Sequence, residues 1–246
     1  MWSNGPAEEI TYETAQGAFK DLMRSDHVRE IREAKLDYMD TRFYIGIDLA
    51  DRRDFTSVSV IKRQNGKLLL MYLKRYEHNI GYPETLHRLK SLANTPRLRG
   101  KCIFIFDGTG VGRGIVQQAR INGLHPTIGI FLVADGKFHP ERNPGGKLSD
   151  NYILPKADLA TSLKMLFENN GILISKSLKE GKELKNQIRT FWAKKSDRTG
   201  FTTFEAWHNK AHDDNVISVG LAAFWASQLP ITKMPQRNVT VLRVMR

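Results

Sequence analysis

Ile45-Gly-Ile-Asp48 and Ile103-Phe-Ile-Phe-Asp107-Gly-Thr-Gly each end an apolar stretch on a carboxylate, and His212-Asp213-Asp214-Asn-Val-Ile opens another with two. Flanks of this kind make each acid part of a buried scaffold rather than of a free loop. Asp107 lies 59 residues beyond Asp48, and Asp213 lies 106 beyond Asp107. That is enough chain for the segments to fold back and meet. Acids held close together repel and call for a counter-charge. In an electropositive chain the pattern points to a site for divalent cations and to metal-dependent phosphodiester chemistry.

Around Asp48 the hydrophobic period is that of a sheet. Phe43-Tyr-Ile-Gly-Ile47 reads as a central strand, and Thr56 to Ile61 alternates small polar residues with Val and Ile. Asn65-Gly66 supplies a favoured two-residue hairpin turn into Leu68 to Leu73. Three antiparallel strands therefore come first. A helix with Leu86, Leu89 and Leu92 on one side follows, then a strand over Cys102 to Phe106. The pattern next predicts a helix from about Val111 to Asn122, ended by Gly123, and a strand over Pro126 to Val133. Residues 134 to 152 are rich in Gly, Pro, Asn and Lys without periodicity, which predicts a long loop. Helices are expected over Lys156 to Asn169, from about Leu178 to Trp192 and from Asp213 to Ser227, with a strand near Phe201 to Trp207. Three antiparallel strands followed by parallel strands and helices make an α/β mixed sheet, an arrangement that resembles the ribonuclease H-like fold. Residues 1–41 are expected to form a helical lead-in or linker, 42–229 the main domain and 230–246 a basic tail.

Composition narrows the partners. The 246 residues carry 38 Lys and Arg against 26 Asp and Glu, a net charge of +12. That surplus favours a polyanion, either nucleic acid or an anionic membrane surface, although a basic protein kept soluble by its charge is the blander reading. Leu68 to Tyr72 and Val219 to Ala226, among the longest apolar stretches, fall far short of the ~20 residues a spanning helix needs. The first residues, Met1-Trp-Ser-Asn-Gly-Pro-Ala-Glu-Glu, lack the basic and apolar regions of a secretory signal. A single cysteine, Cys102, rules out an intrachain disulfide and a thiolate cluster, and fits a reducing compartment.

Each acid also has a bland reading. Asp48 alone is a turn or capping residue. Asp107 stands at the carboxyl end of a strand, where ligands gather in α/β sheets. Gly108, Gly110, Gly112 and Gly114 near it would let backbone approach a phosphate or an ion, or would simply make a turn. Arg113 fills the place of the third glycine of a dinucleotide fingerprint, and Gly145-Gly146-Lys147 lacks the rest of a nucleotide-binding loop, so ATP hydrolysis is not expected. Of Asp213 and Asp214, one can cap the last helix while its neighbour faces a cation. His208 and His212 have no third strong ligand for zinc. Asp54 is expected to hold its turn. Lys156, in the first turn of a helix opened by Pro155, opposes the helix dipole, so helix stability does not explain it. It is either a surface charge or a group near the scissile phosphate.

The ordered set Gly46-Ile-Asp48-Leu-Ala with Asp54-Phe-Thr, Phe106-Asp107-Gly-Thr-Gly-Val-Gly, Leu154-Pro-Lys156-Ala-Asp-Leu159 and His212-Asp213-Asp214-Asn-Val-Ile-Ser-Val-Gly-Leu-Ala resembles the nuclease domain of bacteriophage terminase large subunits. The resemblance implies that Asp48, Asp107, Asp213 and Asp214 bind two Mg2+ or Mn2+ ions and cut double-stranded DNA, with Asp48 as bridging ligand. It implies a phage or prophage gene product acting in a bacterial cytoplasm, with the terminase ATPase domain, the small terminase subunit and the portal as partners. Asn215-Val-Ile-Ser218 departs from the acidic or small residues usual there, and the ATPase half is not in this chain. The same acids would also serve a Holliday-junction resolvase or an RNA–DNA hybrid nuclease, and a non-catalytic nucleic-acid-binding module remains a further alternative. Expected DNA contacts are Arg52, Arg53, Arg113, Lys137, Arg142, Lys147, Lys156, Lys194, Lys195 and Arg198. With no base-reading module evident, cleavage is expected to be nearly indifferent to sequence.

Overall fold

Strand β1 (Phe43–Asp48) lies inside the sheet, antiparallel to β2 (Ser57–Gln64) on one side and parallel to β4 (Cys102–Asp107) on the other. The computed structural model describes residues 43–49, 55–64, 66–191, 194–195, 202–203 and 213–228. The expected lead-in over 1–41 and the tail over 230–246 lie outside them. β2 turns into β3 (Lys67–Arg75) through a two-residue connection between the paired Gln64 and Lys67. Gly66 stands there at φ 76°, a left-handed conformation that glycine adopts without strain.

Beyond β3 come α1 (Tyr82–Ala93), β4, α2 (Gly112–Ile121), β5 (Thr127–Val133), β6 (His139–Arg142), β7 (Leu148–Pro155), α3 (Lys156–Glu168), β8 (Ile172–Ile174), α4 (Gly181–Thr190), the two-residue strands β9 (Lys194–Lys195) and β10 (Thr202–Thr203), and α5 (Asp214–Gln228). One eight-stranded sheet runs in the order β6-β7-β5-β4-β1-β2-β3-β8, and β9 pairs with β10 in a separate ribbon. β1, β4, β5 and β7 are mutually parallel, so their carboxyl ends share one edge of the sheet.

Three expectations need correction. The loop over 134–152 is instead largely an antiparallel hairpin, β6 and β7, which extends the sheet beyond β5. β6 is His139-Pro-Glu-Arg142 and β7 opens on Leu148-Ser-Asp-Asn151, too polar and too short to show a period, while Tyr152 and Leu154 at the end of β7 enter the buried core. β8 was not expected at all. Three residues are too short to show a period, and its place is set by parallel pairing to β3. The helix placed at Leu178 begins at Gly181, after Ile172–Ile174 and a turn. Of the strand expected near Phe201 to Trp207, only Thr202–Thr203 falls among the described residues.

Alternation along the central strands divides the core in two. Tyr44, Ile103 and Ile105 join Ile128, Ile130, Leu159, Phe224 and Trp225 on one face. Ile45, Ile47, Val58, Val60, Phe104 and Phe106 join Leu86, Leu89, Val116 and Ala119 on the other. α5 is apolar almost all round and is buried along nearly its whole length, as a helix seated between a sheet and other helices must be. Each large apolar side chain sealed in this way contributes roughly 1.5–3 kcal/mol. That anchorage fixes the helix whose first turn carries Asp214.

Candidate metal centre

Strand parity explains how the acids meet. Tyr44, Gly46 and Asp48 point to one face of β1, and Ile103, Ile105 and Asp107 to the same face of β4. The two strands run parallel with Gly46 opposite Ile105 and Ile47 opposite Phe106, so Asp48 and Asp107 are one step further along the same edge. α5 packs on that face, and its N-terminus brings Asp213 and Asp214 to the same place. The Asp213 carbonyl accepts from the Ile217 amide at 2.9 Å, which puts Asp213 at the N-cap and Asp214 in the first turn.

Asp48, Asp107, Asp213 and Asp214 together line a cavity of about 170 Å³, with Leu49, Thr109, Leu132, Ile217 and Lys156 completing it. Of the two readings of Lys156, the position in the structure is the cavity. Pro155 ends β7 as the helix N-cap, and the residue after it enters from the same strand edge as the acids.

Burial pushes the Asp107 carboxyl above the ordinary carboxylate range, while hydrogen bonds from Thr109 and the Lys156 charge draw it back down. The Thr109 amide donates to Asp107 Oδ1 at 2.8 Å, and the Thr109 hydroxyl accepts from the Leu132 amide at 2.9 Å. The turn after β4 is thereby tied to β5. α2 starts directly on this turn, since a Cβ at Gly112 would stand 2.4 Å from the Asp107 carbonyl oxygen. A desolvated carboxylate among other carboxylates favours a cation in their midst. The acidic donors are oxygens only, and the cavity leaves room for retained water, which suits hard ions such as Mg2+ or Mn2+. Among the described residues no three carboxylates, imidazoles or thiolates form a ready-made cage. The acids ring the cavity without closing on its centre.

The other basic residues are placed differently. Arg113 Nη1 and Nη2 donate to Glu141 at 2.9 Å each, and the guanidinium lies 4.0 Å over the Phe131 ring. Glu141 also accepts from Asn151 Nδ2 at 3.0 Å, and Arg120 donates to Asn151 Oδ1 at 2.8 Å. Arg113 therefore joins α2 to the hairpin beside the cavity. Arg142 donates to the Gly146 carbonyl at 3.0 Å and shapes the hairpin turn. Lys137 and Lys147 are exposed. Of Lys194 and Lys195 only the backbone is described, in the β9–β10 ribbon. Arg52, Arg53 and Arg198 lie outside the described residues, as do Asp51, Asp54, His208 and His212.

Sequence reasoning missed Thr109 and Leu132, whose roles arise from the pairing of β4 with β5. Thr109 lies within the Asp107-Gly-Thr-Gly motif, and its hydroxyl was the available signal. Also missed was a polar seam beneath the site, made by Ser57, Ser59, Asn215 and Ser218, all fully buried. Among the described residues no helix is long and apolar enough to cross a membrane.

No protein-family model and no curated protein sequence matches the chain. Solved structures do. The large terminase nuclease from thermophilic phage G20c is 20% identical over 78% of this chain and 84% of its own, with a TM-score of 0.53. The same nuclease with bound magnesium is 21% identical over 76% and 82%, with a TM-score of 0.54. The large terminase nuclease domain of Thermus phage P74-26 is 20% identical over 74% and 78%, with a TM-score of 0.51. The chain has the ribonuclease H-like fold that these nuclease domains share.

Proposed function

We propose that the protein is a divalent-metal-dependent endonuclease that cleaves double-stranded DNA, acting as the nuclease of a phage terminase large subunit. The observation that carries this reading is the convergence of Asp48, Asp107, Asp213, Asp214 and Lys156 on one cavity at the carboxyl ends of parallel strands, in a chain of net charge +12. The likeness to large terminase nucleases, one of them with bound magnesium, supports it.

Asp48 and Asp107 would hold the ions from the sheet, and Asp213 and Asp214 from the start of α5. When bound, the ions would supply an activated water and stabilise the departing 3′ oxygen. Thr109 keeps the Asp107 carboxylate oriented through its amide. Lys156 brings a cation to the same cavity, where it would meet the charge that develops on the scissile phosphate. Lys137, Arg142 and Lys147, on and beside the β6–β7 hairpin, are proposed to contact the DNA backbone. So are Arg52, Arg53, Lys194, Lys195 and Arg198. Arg113 is also proposed to contact phosphate, since its side chain stays exposed beside the ion pair with Glu141.

Phosphate contacts carry no sequence information, so cleavage should be nearly sequence-indifferent. A cutter of that kind needs restraint, which in a packaging motor would come from the ATPase domain, the small subunit and the portal. A cluster of repelling carboxylates that leaves ions partly hydrated adds a brake of its own, and millimolar-range metal is expected to be needed.

Supercoiled plasmid should be nicked and then linearised with Mn2+ or Mg2+ and left intact with EDTA. Asp48→Asn and Asp107→Asn should abolish cutting, and wild-type rates in either variant would refute the site. Cutting a four-way junction or an RNA–DNA hybrid far faster than linear duplex would reassign the enzyme to another nuclease of the same fold.

A further inference from the structure

The buried polar seam under α5 has no part in binding DNA, yet it occupies a place where apolar residues would pack at lower cost. Ser57 pairs with Asp48 across β1 and β2, and Ser59 pairs with Gly46 two residues back. Both serines face α5. Ser57 Oγ donates to Asn215 Oδ1 at 2.7 Å and lies 2.9 Å from Ser218 Oγ, and Ser59 Oγ donates to the Ser218 carbonyl at 2.9 Å. Asn215 and Ser218 are three apart on one helix face. The rung of the sheet that ends on Asp48 is thus hydrogen-bonded to the turn of helix that begins on Asp213 and Asp214.

A second helix completes the arrangement. The Asn215 amide is one of the first-turn donors that an α-helix leaves without an internal partner. An aspartate at the N-cap ordinarily serves the donor two or three residues on. Here Gln187 of α4 reaches across from a second helix, and its Oε1 accepts from the Asn215 amide at 3.0 Å. Gln187 is itself buried and donates to Glu183 Oε1 at 3.4 Å. The first turn of α5 is therefore held from outside the helix at this donor.

We infer that Gln187 and Ser57 are positioning residues for the metal centre: Gln187 holds the Asn215 amide of α5 from outside the helix, Ser57 pins the same turn to the Asp48 rung, and together they hold Asp213 and Asp214 toward the cavity. The inference rests on the metal-dependent nuclease reading. Its physical basis is directional. Apolar packing alone would seat α5 on the sheet but would tolerate rotation or sliding by a fraction of an ångström, whereas hydrogen bonds between fully buried partners tolerate neither without leaving a donor unmet. Residues that orient metal ligands typically change metal affinity 10–100-fold when removed.

The test is calorimetric titration of Mn2+ into the full chain, run beside thermal melts in EDTA. Gln187→Met keeps the length of the side chain and removes the acceptor. It should weaken Mn2+ binding at least tenfold while the folded protein keeps its far-ultraviolet spectrum. Gln187→Glu alone would set a second carboxylate against Glu183, so the rescue is the double variant Gln187→Glu/Glu183→Gln, which keeps an acceptor for the Asn215 amide and a donor between the two side chains and should return the affinity to within about threefold of wild type. A merely structural role would lower the EDTA melting temperature and leave the Mn2+ affinity of the folded protein unchanged. If Gln187→Met does not fold, Ser57→Ala carries the same threshold. Mn2+ binding within twofold of wild type in the folded variants would overturn the inference while leaving the nuclease reading intact. No Mn2+ binding by the wild type would instead remove the reading, and this inference with it.

Discussion

Lys156, at the start of α3, and Asp107, at the end of β4, face one cavity, and the lysine's charge draws the Asp107 pKa down against the burial that raises it. The same charge opposes the entry of a metal ion. Lys156→Met should therefore leave Mn2+ affinity unchanged or somewhat tighter, because a like charge has been removed. Cleavage should nonetheless fall by about tenfold or more, since a preorganised cation near the reacting phosphate is lost. Calorimetry and plasmid cleavage on the same preparation separate the two effects. Normal cleavage by a folded Lys156→Met protein would make Lys156 a bystander.

The raised Asp107 pKa has a consequence for metal-free stability. The folded state holds the Asp107 proton more tightly than the unfolded state does, so its contribution is fully present below the ordinary value of 3.8 and is lost as pH rises through the folded value. At neutral pH the charged carboxylate is a cost to the apo fold. Asp107→Asn should accordingly raise the melting temperature in EDTA at pH 7 and have little effect near pH 3.5. Protons also compete with the ion, so Mn2+ binding by the wild type should weaken as pH falls from 7.5 toward 5. Melts of Asp107→Asn identical to wild type at pH 7 would show that the carboxylate carries no such burden.

The acids were legible in the sequence because each follows or precedes a strongly apolar run, and strand parity then dictates which face they share. Asp48 and Asp107 needed only the period of two and a parallel register. Lys156 was not legible in this way. Viewed along its own helix it opposes the dipole, and only the pairing of β7 with β5 shows that its strand delivers it to the cavity. The hairpin of β6 and β7 escaped because β6 and the first half of β7 are mostly polar, and the buried Tyr152 and Leu154 come only at its end. Asn215 and Ser218 stood out in the sequence only as departures from the family motif, and their role escaped because their partners lie more than 150 residues away.

Arg113 and Glu141 hold the hairpin to α2. The Arg113 hydrogen bonds keep the Glu141 carboxyl below its ordinary 4.5, so the stability they contribute is present above that value and is lost as pH falls through the folded value. Arg113 is 56% exposed, so solvent screening limits the pair to about 1 kcal/mol or less, and the contact over Phe131 adds a similar amount. Arg113→Ala should lower stability by about 1–2 kcal/mol at pH 7 by these values. It should also speed amide exchange in β6 and β7 more than in β1 or β4. Uniform exchange across the sheet would mean that the pair does not anchor the hairpin.

Replacing Lys137, Arg142 and Lys147 by neutral residues should reduce the salt slope of DNA binding by up to about 3 if all three reach phosphate. Because Arg142 also braces the hairpin turn through Gly146, its replacement should be read beside a melt. An unchanged slope in a folded triple variant would take the hairpin out of the interface.

Gly46 sets how closely α5 can approach the sheet. A Cβ there would stand 1.9 Å from the Ser218 carbonyl oxygen and 2.9 Å from Ser59 Oγ, and the first of these is backbone that cannot rotate away. Gly46→Ala must therefore lift α5 from β1, stretching the bonds that Ser57 and Ser59 make to it. Overpacking of this kind costs about 1–3 kcal/mol, and the upper end is expected because the obstacle is main chain. At about 2–4 °C per kcal/mol for a domain of this size, the melting temperature should fall by roughly 5–10 °C. Gly114 is the control. It lies within α2 with nothing within 4 Å of an added Cβ, so Gly114→Ala should be neutral or stabilising by up to about 1 kcal/mol. Mn2+ affinity should drop in Gly46→Ala, because Asp213 and Asp214 move with the helix, and should hold in Gly114→Ala. Equal melting temperatures for Gly46→Ala and wild type would show that α5 is not seated against Gly46 as described.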